Sequence, residues 1–120
     1  MKKCPKCGYY DSKRSGNQND TSFMWYAEVE QSNIGYSAKD ARAYSKLHFG
    51  VPILRAHDEE FRKVYDKVIK PLTYEQKLEI MVEPIDLPVT SRMKKKQFMD
   101  YLDEVYTFWT GQGATLTQPS

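Results

Sequence analysis

The sequence predicts a mainly α-helical, helix-dominated α+β fold, in which about five helices joined by short extended connectors form a compact single domain. The 120 residues suit one domain, and 40% of them are hydrophobic, which is enough to form a core. Apolar residues recur at helical spacing at Phe61, Val64, Tyr65, Val68 and Ile69. Glycines and prolines punctuate the segments between such runs.

Three parts are expected along the chain: a basic, cysteine-containing lead over residues 1–13, a helical domain over residues 14–113, and a tail over residues 114–120. No apolar run reaches the ~18 residues of a membrane span, so no membrane association is expected. The start MKKCPKCGYY lacks the apolar centre of a signal peptide. These features predict a cytoplasmic protein with reduced cysteines.

The first two predicted helices differ in character. Residues 21–32 (TSFMWYAEVEQS) are apolar except for a narrow polar stripe, which predicts a helix capped by Asn19 or Asp20 and buried in the core or against a second subunit of a homodimer. After Gly35, the capping pattern from Ser37 to Asp40 begins a helix that Gly50 is expected to end. Residues 51–54 (VPIL) are expected to be extended, because a proline does not continue a helix.

Three further helices are expected. One begins at Asp58 and ends before Pro71, and a shorter one follows the capping box Thr73–Gln76 and runs to residue 81 or 82. Residues 83–90 (EPIDLPVT) predict an extended connector between prolines. The last helix is expected to start at Thr90 or Ser91 and to reach about residue 110, where Gly111 follows.

The lead contains a zinc-knuckle half-site. Cys4 and Cys7, in the pattern C-P-K-C-G, hold thiolates at a spacing that chelates one ion. A tetrahedral site needs two further ligands, for which His48 and His57, or a second copy of the cysteine pair across a dimer axis, are the candidates. A structural Zn²⁺ is one expectation, and a pair of reduced bystander thiols is the other.

Two polar segments predict contacts with phosphate. Arg92, Lys94, Lys95 and Lys96 follow Ser91 at a predicted helix start, where cations are unfavourable by roughly 0.3–1 kcal/mol each and free amides attract anions. A bound phosphate would offset that charge, whereas the alternative interpretation is a solvated surface turn. The formal net charge of +2 is too small to decide between them.

The segment KRSGNQND, residues 13–20, precedes the apolar helix. Turn chemistry accounts for its Gly, Asn and Asp residues but does not require Arg14 or Gln18, whose side chains suit phosphates and base edges. Phe23, Trp25 and Tyr26 are candidates for stacking on unpaired bases, although aromatic residues at this spacing are commonly core.

No enzyme is predicted. The sequence has no nucleophile elbow, P-loop or zinc-protease motif, and the helix dipole explains the acidic run from Asp58 to Glu60.

The pattern Arg14-Ser15-x-x-Gln18-Asn19, followed by an aromatic helix with Trp25, resembles the opening signature of the NinB family of Orf-type recombination mediators of lambdoid phages. The segments GYSAKDARAYSKLHFGVPIL and PVTSRMKKKQFMDYLDEVYTFWTGQGATLTQP are similar to later parts of that family. The family has a β-containing region before the signature. In this sequence 13 residues, which include the CPKC pattern, precede it.

The resemblance implies a phage protein, acting in the bacterial host, that binds single-stranded DNA during homologous recombination. It implies a homodimer and a recombinase or single-strand-binding protein as partner. The matching positions that it marks are Arg14, Ser15, Gln18, Asn19, Trp25, Ser91 and Arg92. The competing hypothesis is a small zinc-knuckle adaptor that binds another protein and has no nucleic-acid role.

Overall fold

Helices account for most of the chain in a computed structural model, which describes residues 16–117, with side chains from residue 21 onward. The mainly helical prediction is confirmed, and none of the residues from 16 to 117 lies in a β-strand. The elements are α1 (Gly16–Gln31), α2 (Ala38–Ser45), a first π-helical segment (Lys46–Gly50), α3 (Val51–His57), α4 (Glu59–Val64), a second π-helical segment (Tyr65–Ile69), α5 (Tyr74–Ile80), a 3-10 turn (Thr90–Arg92) and α6 (Lys95–Gly111).

Three of the predicted helix starts, at Ser37, Asp58 and Thr73, are confirmed, because these caps depend on local sequence. The Ser37 hydroxyl accepts a hydrogen bond from the Asp40 amide at 3.0 Å, and the Thr73 hydroxyl accepts one from the Gln76 amide at 3.1 Å. The Asp58 carboxylate accepts from the amide three residues later. Each oxygen satisfies a donor that the first helical turn leaves open.

The prediction that Gly50 ends a helix and that residues 51–54 are extended is wrong. α2, the first π-helical segment and α3 form one continuous rod from Ala38 to His57. At the end of the π-helical segment the Val51 amide donates to the Lys46 carbonyl five residues earlier. The α-helical hydrogen-bond pattern then begins again with α3, whose first turn contains Pro52. A proline has no backbone N–H to donate and is therefore tolerated in the first turn of a helix, where the amides have no partner within the helix. Pro52 occupies that position in α3.

Gly50 lies where the rod passes closest to the loop before α6. A Cβ on Gly50 would lie 2.6 Å from Cγ1 of Val89 and 3.4 Å from Cε1 of Tyr101, and both of those side chains are buried. We expect Gly50→Ala to destabilise the protein by about 1–2 kcal/mol, because overpacking outweighs the roughly 1 kcal/mol that alanine gains in a helix. Urea denaturation measures the difference.

Gly111 provides the matched control for that substitution. It also lies in a helix, but a Cβ there would meet open space, so Gly111→Ala should be neutral or slightly stabilising. Adding Val89→Ala to Gly50→Ala should relieve the clash. Equal stability of the two glycine variants would contradict the close packing at Gly50.

Other boundaries also differ from the predictions. α1 begins at Gly16, so neither Asn19 nor Asp20 caps it, and KRSGNQND is partly helical rather than a turn. The connector over residues 83–90 is not extended throughout: it begins with a turn over residues 83–85, with a cis Glu83–Pro84 bond, and Asp86 has a left-handed backbone (φ 49°). The last helix begins at Lys95, because Met93 has an extended backbone and buries its side chain.

The long helices pack in alternating directions. α1 and α2 are antiparallel, with the Arg42 guanidinium over the Phe23 ring near one end and the Ala38 amide donating to Glu30 near the other. α6 is antiparallel to the rod, because Tyr44 stacks on Phe108 and Gly50 approaches Tyr101, so α1 and α6 run in the same direction. No helix among residues 16–117 has the length and apolar character to cross a membrane.

Candidate nucleic-acid interface

The beginnings of α1 and α6 lie at the same end of the helix pair. The hydroxyl oxygens of Tyr26 and Tyr101 are 2.6 Å apart, which fixes one level along both helices. Gly16 lies about 15 Å of helical rise before that level on α1, and Lys95 about 9 Å before it on α6. We call this region, comprising residues 16–23 and 94–97, the basic end.

Three consecutive lysines dominate the α6 side of the basic end. Lys94, Lys95 and Lys96 are all exposed, and only Lys96 contacts a carboxylate among the described residues, at 3.9 Å from Asp100. Lys94 occupies the N-cap, where its amide donates to the Gln97 side chain. The structure therefore places an exposed cationic turn at the positive end of the α6 dipole, as predicted from the sequence.

Arg92 pairs with acidic residues and does not belong to this exposed lysine turn. Its guanidinium donates to Oδ2 of Asp58 from both Nε, at 3.0 Å, and Nη2, at 2.8 Å, and lies 3.4 Å from Glu60. The hydrogen bonds to Asp58 raise the pKa of Arg92. The pKa of Asp58 is lowered, chiefly by the hydrogen bond that it accepts from the Phe61 amide and then by the one from Arg92. Arg92 thus ties the 3-10 turn to the start of α4, and two carboxylates already balance its charge. Ser91 beside it is exposed.

Trp25 and Tyr26 do not offer rings to a base. Trp25 is 3% exposed, packs at 5.3 Å from the Tyr106 ring and donates from Nε1 to the Thr117 carbonyl. Tyr26 is buried against Tyr101, and burial raises its pKa to about 12. Both rings belong to the core, which corrects the prediction that they stack on unpaired bases.

Phe23 is the exposed aromatic residue of α1, with 57% of its surface open. Of the three aromatic residues that the sequence offers for stacking, it is the one that the structure leaves accessible, and the helical pattern distinguishes it. Ser22, Trp25, Tyr26 and Val29 are buried at i, i+3, i+4 and i+7, and this phase leaves Phe23 outside the buried face.

The two histidines do not form one metal site. His48 stacks on Tyr44 at 4.0 Å and shares a hydrogen bond of 2.7 Å with the Tyr74 hydroxyl, and burial lowers its pKa. His57 lies nine residues further along the same rod, about 13 Å of rise away. From residue 21 to residue 117 no cluster of three or more His, Cys, Asp or Glu side chains suits a metal ion.

Several predicted site residues fall outside the described part. Cys4, Cys7, Arg14 and Ser15 precede residue 16, so the zinc half-site and half of the polar signature stay predictions. For Gln18 and Asn19 the structure gives the backbone alone, in the first turns of α1 at the basic end.

Comparison with known proteins gave no match to any protein-family model, any curated protein or any solved structure. The resemblance to the NinB family therefore stays a prediction.

Proposed function

We propose that this protein binds single-stranded DNA at the basic end, as a phage accessory protein of homologous recombination. The observation that supports this most is the parallel packing of α1 and α6. It brings the lysine turn to the end from which α1 starts, and residues 2–14, which precede α1 in sequence, contain five cations and one acid. The lysine turn and the start of α1 thus lie at one end, and a basic segment precedes that start in sequence.

Phosphate is the ligand whose chemistry fits the lysine turn. Cations at a helix start are unfavourable by roughly 0.3–1 kcal/mol each, and a phosphate would both offset that charge and accept from free amides of the first turn. Lys94 and Lys95 form no ion pair with the described residues, so they are available to a DNA backbone. The resemblance adds a homodimer and a recombinase or single-strand-binding protein as partner to this proposal.

The test is fluorescence anisotropy with an unstructured single-stranded oligonucleotide and the corresponding duplex over a salt series. Reversing the charge of Lys94, Lys95 and Lys96 to Glu should weaken single-strand binding at least tenfold at low salt. The slope of log K against log salt should fall in magnitude by about 2, which is 0.7 for each of three phosphate contacts.

The control variant carries the same charge change elsewhere, at Lys63, Lys67 and Lys70 on α4 and beyond it. It should keep most of the affinity and the salt slope. If both triple variants lose binding equally, net charge rather than the basic end is responsible. If the wild-type protein binds neither DNA form, the proposal fails.

A protein-binding adaptor is the second candidate, and one surface favours it. A pocket of about 260 Å³ lies between the second π-helical segment and the loop before α6, with Phe61, Tyr65 and Pro88 in its walls. Val64 and Val68 are exposed on α4 and its extension. Binding of a protein that is lost in Val68→Asp and kept in the lysine variant would favour this candidate.

A further inference from the structure

Phe23 and Arg42 form a contact pair next to the basic end. The guanidinium carbon of Arg42 lies 5.4 Å from the centre of the Phe23 ring, and the Tyr26 ring meets Phe23 nearly at right angles at 6.0 Å. These two neighbours hold the ring in place, while 57% of the side chain stays exposed. An exposed ring held by a cation and a buried tyrosine is pre-arranged for a planar ligand.

Among the residues whose side chains are described, the charges that contact Arg42 do not cancel. Arg42 Nη2 at 2.9 Å and Lys46 Nζ at 2.7 Å both contact Oδ1 of Asp86, so two cations share one carboxylate. Lys46 is buried, with 3% of its side chain exposed, and also donates to the Met81 carbonyl. The excess positive charge therefore reaches solvent at Arg42.

Arg42 also has N–H groups that no described residue accepts. Of its hydrogen-bonding nitrogens, Nη2 alone bonds to a described residue. The side chain is 21% exposed, so the remaining N–H groups lie partly desolvated beside an open aromatic ring. A guanidinium with such unpaired N–H groups favours a carboxylate or a phosphate as its partner.

We propose that Phe23 and Arg42 form a subsite for one unpaired nucleotide, in which the base stacks on Phe23 and Arg42 contacts the backbone phosphate. This rests on the proposed function and extends it by giving the strand a route from the lysine turn across α1 to α2. Stacking accepts any base, because every base has a π-face. The subsite requires an unpaired strand, since bases within a duplex do not expose that face.

The test compares matched variants in the same anisotropy assay. Phe23→Ala is compared with Val68→Ala, which removes a similarly exposed apolar side chain on the second π-helical segment. Arg42→Gln is compared with Arg55→Gln, because Arg55 also pairs with an aspartate and lies over an aromatic ring. In that pair no second described cation shares the aspartate, and the ring is buried. Circular dichroism checks that each variant is folded.

Phe23→Ala should weaken single-strand binding roughly fivefold or more and leave the salt slope unchanged, since the lost contact is stacking. The loss should vanish on an oligonucleotide of abasic sugars. Arg42→Gln should lower the magnitude of the salt slope by about 0.7, as expected for one phosphate contact. Val68→Ala and Arg55→Gln should bind like the wild type.

Wild-type affinity in Phe23→Ala, together with lost binding in the lysine variant, would overturn the subsite and leave the proposed function standing. An equal loss on normal and abasic strands would also overturn it, because the ring would then not be stacking on bases. Absence of binding by the wild-type protein would overturn both proposals. Since Phe23 is exposed, its variant tests the subsite even if Arg42→Gln folds poorly.

Discussion

Trp109→Ala should destabilise the protein by about 3–5 kcal/mol, the range for removing a fully buried aromatic side chain. Trp109 has no exposed surface and lies at the centre of an aromatic cluster. Its ring packs at 4.9 Å from Tyr36 and at 5.6 Å from Tyr44. Its Nε1 donates to the Ser45 hydroxyl at 2.9 Å, which joins α6 to α2.

Urea denaturation followed by circular dichroism measures this loss. Because a domain of this size has about 5–15 kcal/mol of stability, the variant is expected to be marginally folded. Trp109→Phe, which keeps most of the packing and removes the indole donor, should cost less. A loss below about 1 kcal/mol in Trp109→Ala would contradict the central position of this side chain, since surface substitutions have effects of that size.

The fold could be predicted wherever local sequence decides it. The apolar spacing predicts a helix with a buried face at Phe61, Tyr65 and Ile69, although Val64 and Val68 of the same predicted face are exposed. The caps at Ser37 and Thr73 depend on residues three positions apart. The rod through Pro52 could not be predicted in this way. Whether a proline ends a helix or restarts one depends on the packing around it, and Gly50 lies against Val89, which is distant in sequence.

The candidate site was predicted in part for the same reason. The lysines at positions 94–96 are exposed as expected, because charged side chains seldom bury. The pairing of Arg92 with Asp58 depends on a contact across 34 residues, which no local pattern reveals. Residues 23–26 of α1 are consecutive bulky apolar residues, so composition does not distinguish exposed Phe23 from buried Trp25, whereas the phase of the buried face does.

Asp86→Asn should destabilise the protein by about 2–4 kcal/mol, because it removes the carboxylate that balances a buried lysine. The Lys46 ammonium would keep the Met81 carbonyl as its partner but lose the charge of Asp86. The expected loss is below the roughly 3–5 kcal/mol of a fully buried pair, since the Asp86 side chain is 39% exposed. Asparagine tolerates the left-handed backbone at this position, so the substitution isolates the charge.

The pH dependence of that loss has a definite sign. Partial burial alone would raise the pKa of Asp86, but the hydrogen bonds and charges of Lys46 and Arg42 hold it below 3.8. Asp86 therefore contributes its full stabilisation above pH 3.8 and loses it as the pH falls through the lower, folded-state value. The stability difference between wild type and Asp86→Asn should be constant near neutral pH and should shrink in strong acid.

A double substitution separates the charge of Lys46 from the geometry of the loop. Replacing Lys46 by Met in the Asp86→Asn background removes the uncompensated ammonium and fills a similar volume, so much of the lost stability should return. Lys46→Met alone leaves Asp86 with Arg42 and solvent, so it should cost less than Asp86→Asn. If the double variant is no more stable than Asp86→Asn, the hydrogen bonds of the Lys46 ammonium to Met81 and residue 86 outweigh the charge balance at Lys46.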